Sequence, residues 1–539
     1  MEKHGLIHPS YNILQLALLY AMWLAFFLYI LRNSWVAEDA YITFRVIENF
    51  TAGYGLRWNI IERVQAYTHP LWLLLHLPLH AITHNVFFSS IALSVLCSAA
   101  AVLVVMITAH KPVWMTALFL FTPLCLSKAF VHYTSSGLEN PLSYLLYAGF
   151  IYVLVRKREH RYFWFVCSLM VALAFFNRMD VIWLYAPALS WLMLTSKVHW
   201  RQLYAGAIPF VGWLAFSLFY YGFFFANTKY AKLETGMDYG LYLTQGIEYF
   251  RHLLVGDSSG AVILLTILLM LLPARFNPIR THLSLPYVLA LGVVLQVIYT
   301  VLVGGDYMAG RFWAVPVFAT VTLWFVFFPI RWRPDIIFAV ACLFVTAHFS
   351  SVMLMDMRHG CKECIPLRGR VIDARYVFGF NMLVMKPYNP FLIRSEGHYP
   401  FAKEGEKLRK DNKDVKRLFF IGMSAYYAGP GITFIDELGL ADPLLARLPA
   451  SKRQRFYISH FRRDIPVGYG HALETGELDR MQPDLARYYR ELRKITADDL
   501  WNLSRLKTIF LFNMGYYDEW KDRYIEGMKR VEARSEKRK

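Results

Sequence analysis

Apolar stretches of roughly 17–25 residues recur along the chain, each long enough to cross a hydrocarbon core. They include Tyr11–Leu31, Val86–Thr108, Leu203–Ala226, Leu285–Val303 and Phe312–Pro329. Short polar connections separate them, and Lys and Arg concentrate there: 156–161, 196–202, 274–282 and 331–334. Such loops belong on the cytoplasmic side. The N-terminus and His110-Lys-Pro112 fit the same side. Segments 32–85, 131–138, 177–180, 227–258 and 304–311 then lie outside. This pattern predicts about eleven crossings, the last near 335–352. The first run follows a short, weakly basic start, exceeds a signal h-region and precedes no small-residue cleavage site. It is therefore expected to be a retained helix. Pro70–Ile82 is apolar but too short for an ordinary span. It predicts an amphipathic or re-entrant helix on the membrane surface, or a twelfth crossing if it spans.

The pattern changes near residue 353. From there to 539 the chain is charged, with a turn signal at Gly429-Pro-Gly431 and a helical stretch at Leu478–Lys494. Arg417–Met423 and Lys507–Asn513 read as strands, and 529–539 as a fraying charged helix end. The expected fold is a polytopic α-helical membrane domain over 1–352, with first external loop 32–85, followed by a soluble α+β domain over 353–539 large enough for its own core.

Composition sharpens this picture. Of the 539 residues, 56% are hydrophobic and only 18% charged, and the mean hydropathy is +0.34. A soluble protein of this length carries more charge. The net charge of +18 is accounted for by the basic loops, and no nucleic-acid-binding motif is visible. Membrane lipids, not nucleic acids, are the expected surroundings. Cys97, Cys125, Cys167 and Cys342 fall in apolar runs, where a thiol acts as a small apolar group. Cys361 and Cys364 fall on the external side, where a disulfide is expected. A metal site there would need two further ligands that the neighbourhood does not supply.

Candidate chemistry begins in the first external loop. It reads Glu38-Asp-Ala-Tyr-Ile-Thr-Phe-Arg45, then Gly53-Tyr-Gly-Leu-Arg-Trp-Asn59, then Glu62-Arg-Val-Gln-Ala-Tyr-Thr-His-Pro-Leu-Trp72. Adjacent carboxylates just past a membrane helix are costly unless solvated, paired or used. The bland alternative is a helix cap near backbone amides. Charged, aromatic and glycine residues interleave through the rest of the loop, Tyr67 and His69 among them, as in a site that holds a polar ligand beside lipid.

These three strings resemble the opening of GT-C glycosyltransferases, and within them the mycobacterial arabinofuranosyltransferase B type and related bacterial proteins. The resemblance continues in Tyr133-Thr-Ser-Ser-Gly-Leu-Glu-Asn-Pro141, Asn177-Arg-Met-Asp180, Gly304-Gly-Asp-Tyr-Met-Ala-Gly-Arg-Phe312, Asp436-Glu-Leu-Gly-Leu-Ala-Asp-Pro443 and Pro466-Val-Gly-Tyr-Gly470. One departure is that the usual first-loop pair is Asp-Asp, whereas this chain has Glu38-Asp39. The resemblance implies a polyprenyl-phosphate pentose donor, D-arabinofuranose above all. It implies a glycan or protein acceptor and a bacterial inner-membrane enzyme whose active site and C-terminal domain face the periplasm.

Transfer from a phosphate-linked sugar needs a carboxylate to take the acceptor proton, cations to stabilise the departing phosphate and an apolar groove for the prenyl chain. Asp39 is the candidate base, with Glu38 beside it to orient groups. The pair could also bind a divalent cation, a requirement the sequence leaves open. Arg45, His69, Arg178 and Arg311 are candidate phosphate partners; each alone also reads as an interfacial anchor. Asp306 and Arg311 bracket glycines that let backbone approach a ligand; the plain alternative is a turn whose acid pairs with the arginine. Arg178 and Asp180 present the same choice. Glu139 reads as a helix-start acid, and His471 as a surface histidine or, more boldly, an acceptor contact. Two other functions compete: a different GT-C transfer, such as mannosyl transfer or glycan ligation, and a lipid flippase or transporter. Transporters usually show inverted repeats, which this chain lacks.

Overall fold

The computed structural model describes residues 11–257, 259–271, 284–327, 371–377, 400–411, 414–451 and 457–536. The chain forms two compact units. The first gathers 1–37, 85–210 and 239–388, and the second 38–84, 211–238 and 389–539. Segment 38–84, most of the expected first external loop, thus shares a unit with the C-terminal residues.

The first unit is helical. Its elements are α1 (Ile13–Arg32), α4 (Val86–Ala109), α5 (Val113–Leu126), α6 (Lys128–His132), α7 (Asn140–Arg156), α8 (Phe163–Asn177), α9 (Ile182–Thr195), the first half of α10 (Trp200–Tyr221), α12 (Tyr239–Gly256), α13 (Ser259–Leu271), α14 (Leu285–Leu302), α15 (Ala314–Phe327) and the short α16 (Ala374–Val377). Helix α1 starts on a capping box, Asn12 with Gln15, which satisfies two otherwise open amides. Ile13 and Leu14 are 87% and 67% exposed, so the helix presents a bare apolar face suited to lipid. Four helices among the described residues, α1, α4, α10 and α14, are long and apolar enough to cross a membrane; α5, α8, α9 and α15, and Pro70–Thr83 of the second unit, are apolar but shorter. The expected last crossing at 335–352, the loops 274–282 and 331–334 and the pair Cys361–Cys364 lie outside the described residues.

Within this unit the polar ends segregate. At one end Tyr11 Oη donates to Lys111 O at 2.8 Å, Arg156 Nε to Thr108 O at 3.0 Å and Gln202 Nε2 to Arg161 O at 2.8 Å. The basic connections 110–112, 156–161 and 196–202 therefore cluster together. The opposite end holds the charged residues described below.

The second unit contains α2 (Ala40–Thr51), α3 (Pro70–Thr83), the second half of α10, α11 (Asn227–Leu233), α17 (Pro400–Lys410), β1 (Val415–Leu418), α18 (Met423–Ala428), β2 (Thr433–Asp436), α19 (Tyr469–Thr475), α20 (Pro483–Ala497), α21 (Leu503–Asn513) and α22 (Asp518–Glu536). The two strands pair in parallel, Val415 opposite Thr433 and Leu418 opposite Asp436. The apolar core packs Ile435, Leu445, Tyr469, Leu492, Ile495 and Phe512. Three expectations meet their outcome here. The run Arg417–Met423 does supply a strand, though it ends at Leu418, and 423–428 is helical. Lys507–Asn513 is not a strand but part of α21. Arg505, Thr508, Ile509 and Phe512 fall on one buried stripe at helical spacing, and Asn502 caps the helix by accepting from Ser504 N–H. Pro70–Ile82 is helical as expected, in α3.

Candidate active-site residues in each unit

At its polar end the helical unit assembles an ion-pair network from three loops. Glu139 stands at the N-cap of α7, Arg178 and Asp180 follow α8, and Asp306 and Arg311 lie in the turn after α14. Arg178 Nη1 donates to Glu139 Oε1 at 2.7 Å, Arg178 Nε to Asp180 Oδ1 at 2.8 Å, and its Nη2 to Asp180 Oδ2. Arg311 Nη1 reaches Asp306 Oδ2 at 3.4 Å and its Nη2 lies 3.9 Å from Glu139 Oε1. Glu139 and Asp306 are 1% exposed. Burial strengthens each attraction and makes each unpaired charge expensive.

The turn that carries Asp306 depends on Gly304 and Gly305, both in the left-handed region at φ 87° and 67°. A Cβ on Gly305 would meet the Tyr249 ring at 2.4 Å, so only glycine lets Tyr249 lie against the turn. Tyr249 Oη then donates to Met308 O at 2.9 Å and accepts from Phe312 N–H at 3.2 Å. Asn140 and Asn177 brace the network, through Arg311 O at 3.1 Å and Glu139 O at 3.1 Å. The turn-pair and salt-bridge alternatives open in the sequence are both realised, and the two pairs merge through Glu139. Among the described residues three carboxylates of this network face two guanidiniums.

The second unit begins at Glu38 and Asp39. Glu38 is buried, and its Oε1 accepts from Gly422 N–H at 2.8 Å and Met423 N–H at 3.0 Å. Burial raises its carboxyl well above the usual carboxylate range. The neighbouring charge of Asp39 adds to this, the two amides oppose it, and Asp436 adds a little more. Asp39 occupies the N-cap position of α2 and is half-buried.

The other first-loop candidates also face into this unit. Arg45 is 2% exposed. It donates to Trp58 O at 2.9 Å, Gly429 O at 2.9 Å, Ile432 O at 3.0 Å and Ala425 O, with its guanidinium over the Trp58 and Phe434 rings. Its donors are taken up by main-chain carbonyls, a structural clamp. Tyr67 Oη shares a 2.7 Å hydrogen bond with Tyr221 Oη, and His69 Nε2 one of 2.8 Å with Thr43 Oγ1. His471 sits on α19, with Nε2 3.5 Å from Asp479 Oδ1 and 4.0 Å from Glu477 Oε2. Among the described residues these three form a group whose ligand atoms could hold a metal ion; Glu38 and Asp39 join no such group.

Sequence reading singled out no role for a nest of buried acids in this unit. Asp436 Oδ1 accepts from Leu438 N–H at 2.9 Å and Oδ2 from Ala441 N–H at 2.7 Å. Asp442 Oδ1 accepts from Leu444 and Leu445 N–H at 3.0 and 2.8 Å, and Tyr469 Oη donates to both its oxygens. Burial pushes the Asp436 carboxyl up to about 6 against these amides. It also raises Asp442, to which Asp436 adds, and Glu62, to which Asp442 adds. The signal was present as the acid-glycine string 436–443, whose aspartates brace its own turn.

The chain is 26% identical over 341 residues to the terminal beta-(1->2)-arabinofuranosyltransferase of Corynebacterium glutamicum, with 53% of this chain and 47% of that protein covered. It thus spans about half the length of the curated relative it matches. No family model matches the chain, and no solved structure matches it.

Proposed function

We propose that the chain is a membrane glycosyltransferase that moves a pentose, D-arabinofuranose above all, from a polyprenyl-phosphate donor to a glycan or protein acceptor outside the cytoplasm. The observation that carries this reading is the similarity to a protein named as an arabinofuranosyltransferase. Two features of the chain support it. Apolar helices long enough for a bilayer provide a home for a prenyl chain, and carboxylates and arginines converge at one polar end of the helical unit.

In this reading Asp39 takes the proton of the acceptor hydroxyl as that oxygen attacks the anomeric carbon. Glu38 holds the start of α2 to the amides of Gly422 and Met423 and so fixes Asp39. Taken by themselves, the carboxylates of the helical unit, Asp306, Asp180 and Glu139, oriented by Arg178 and Arg311, are a separate candidate set able to accept from hydroxyls of a polar ligand. His69 and Tyr67 complete the first-loop wall, and His471 stands for acceptor contact. A divalent cation at Glu38 and Asp39 remains an optional part, to be decided by chelation.

Purified protein incubated with labelled polyprenyl-phosphate arabinose tests the reading. Labelled glycan product supports it. Activity only with a polyprenyl-phosphate mannose replaces the sugar and keeps the enzyme class. Movement of intact donor between leaflets with no transfer overturns it in favour of a flippase.

A further inference from the structure

Segment 371–377 docks on the turn that carries Asp306. Ala309 N–H donates to Ile372 O and Ile372 N–H to Tyr307 O, both at 2.8 Å. This short parallel bridge brings Asp373 and Arg375 to the polar end of the helical unit. Arg375 is 4% exposed. Its Nη2 donates to Asn33 Oδ1 at 3.0 Å, and Asn33 Nδ2 donates to Tyr29 O at 2.8 Å, which fixes the guanidinium at the end of α1. Among the described residues its Nε and Nη1 have no hydrogen-bond partner. Buried donors of a charged group are costly to leave unmet, so this one is poised for an acceptor.

Several titratable groups stand around it. His132 Nδ1 lies 3.7 Å from Asp373 Oδ1, and the ring also feels the charges of Arg375 and Lys128. His252, on α12, feels Asp373, Lys128, Glu248 and Arg251. Asp257 also reaches this region, where its Oδ2 accepts from Ala129 N–H. In the neighbouring network Arg178 is already engaged by Glu139 and Asp180. Tyr133, which senses Asp306, Arg311 and Asp373 together, lies between the two groups. An incoming anion meets the open Nε and Nη1 donors of Arg375, whereas beside Glu139 and Asp306 it meets carboxylates.

We infer that Arg375, Lys128, His132 and His252 form a phosphate-binding site at the polar end of the helical unit, and that its ligand is the phosphate of a polyprenyl-phosphate lipid. The lipid source rests on the glycosyltransferase reading. It is also favoured by the position of Arg375 at the end of α1, whose apolar face is bare. In transfer, the acceptor oxygen bonds to the anomeric carbon and the carbon–oxygen bond to phosphate breaks. The electron pair stays on the phosphate, the acceptor proton passes to a carboxylate, and the cluster stabilises the charge left on the phosphate.

Binding of decaprenyl phosphate and of inorganic pyrophosphate to the full-length protein in nanodiscs tests the site without any sugar. Arg375→Gln should weaken decaprenyl phosphate binding at least ~10-fold and Lys128→Gln at least ~3-fold, the scale of lost charge-assisted contacts. Arg375→Lys should recover most of the loss, which separates charge from misfolding. Arg311→Gln should change affinity less than Arg375→Gln. Unchanged binding by Arg375→Gln, or a larger loss with Arg311→Gln, overturns the site. Pyrophosphate binding that needs Arg375, with lipid binding that does not, keeps the phosphate site and overturns the lipid as its ligand. Arg375-dependent lipid binding in a protein that transfers no sugar leaves the site standing and removes the enzymatic reading. Sugar transfer by a protein whose lipid binding ignores Arg375 does the reverse.

Discussion

The two units bury carboxylates in different ways. In the helical unit Glu139, Asp180 and Asp306 are held by arginine side chains, Asp180 and Asp306 within their own loops and Glu139 from both. In the second unit Glu38, Asp436 and Asp442 are held by backbone amides. A side-chain pair adds charge to cancel charge, and can exchange partners when a ligand arrives. Amides add only dipoles, fixed by the fold, so the carboxyl stays costly to ionise and is pushed upward. The first arrangement suits contact with a polar substrate, and the second suits holding a loop in one conformation.

The sharpest way to break this contrast is to remove one arginine. Arg178→Gln leaves Glu139 buried beside the more distant Arg311 and should cost about 3–5 kcal/mol of stability. Thermal unfolding in detergent reads this, and adding Glu139→Gln should restore a large part. A single variant as stable as the parent would mean that the network carries no buried charge.

Asp39→Asn probes the candidate base. Turnover should fall at least ~100-fold with donor binding kept, the scale of a lost general base. Glu38→Gln should instead act mainly through the start of α2, since the neutral amide loses part of the grip on Gly422 and Met423. Near-normal transfer by Asp39→Asn would move the search for the base to Asp306.

A smaller effect follows from Asp436. Its carboxyl is raised, so the folded state holds the proton at pH values where the unfolded chain has lost it. That contribution to stability is full below the unfolded value of 3.8 and is lost as pH rises through about 6. The protein should be about 1–2 kcal/mol more stable at pH 5 than at pH 7.5 on this account, and Asp436→Asn should flatten the difference. Melting curves at the two pH values decide. A rise in stability toward pH 7.5 would contradict amide-only support.

The smallest change expected is at Cys361 and Cys364. Non-reducing mass spectrometry should find them joined, and reduction should cost little, because the loop they close is very short. Two alkylatable thiols in protein taken from membranes would refute the pairing.

Much of the layout was legible from periodicity. Apolar runs announced α1, α4, α10 and α14, because a helix that faces lipid must be apolar along its length. The candidate acids and arginines were legible as residue types beside glycines. Their partners were not. Arg45 reads equally well as a phosphate ligand and as a clamp until Ala425, Gly429 and Ile432 come into reach from nearly four hundred residues away. Lys507–Asn513 failed as a strand because a short apolar run has no period of its own, and the buried face of α21 is set by what packs against it.

The sequence by itself determined where the chain is apolar, which segments are polar and which side chains could do acid–base or phosphate chemistry. These are properties of residues and of near neighbours. The tertiary structure alone decided how charge is balanced. Among the described residues Arg178 and Arg311 pair with acids, whereas Arg375, in a string that gave no signal, has two donors without a partner and stands near His132. Electrostatic balance depends on distances between groups remote in the chain, and only folding sets those distances.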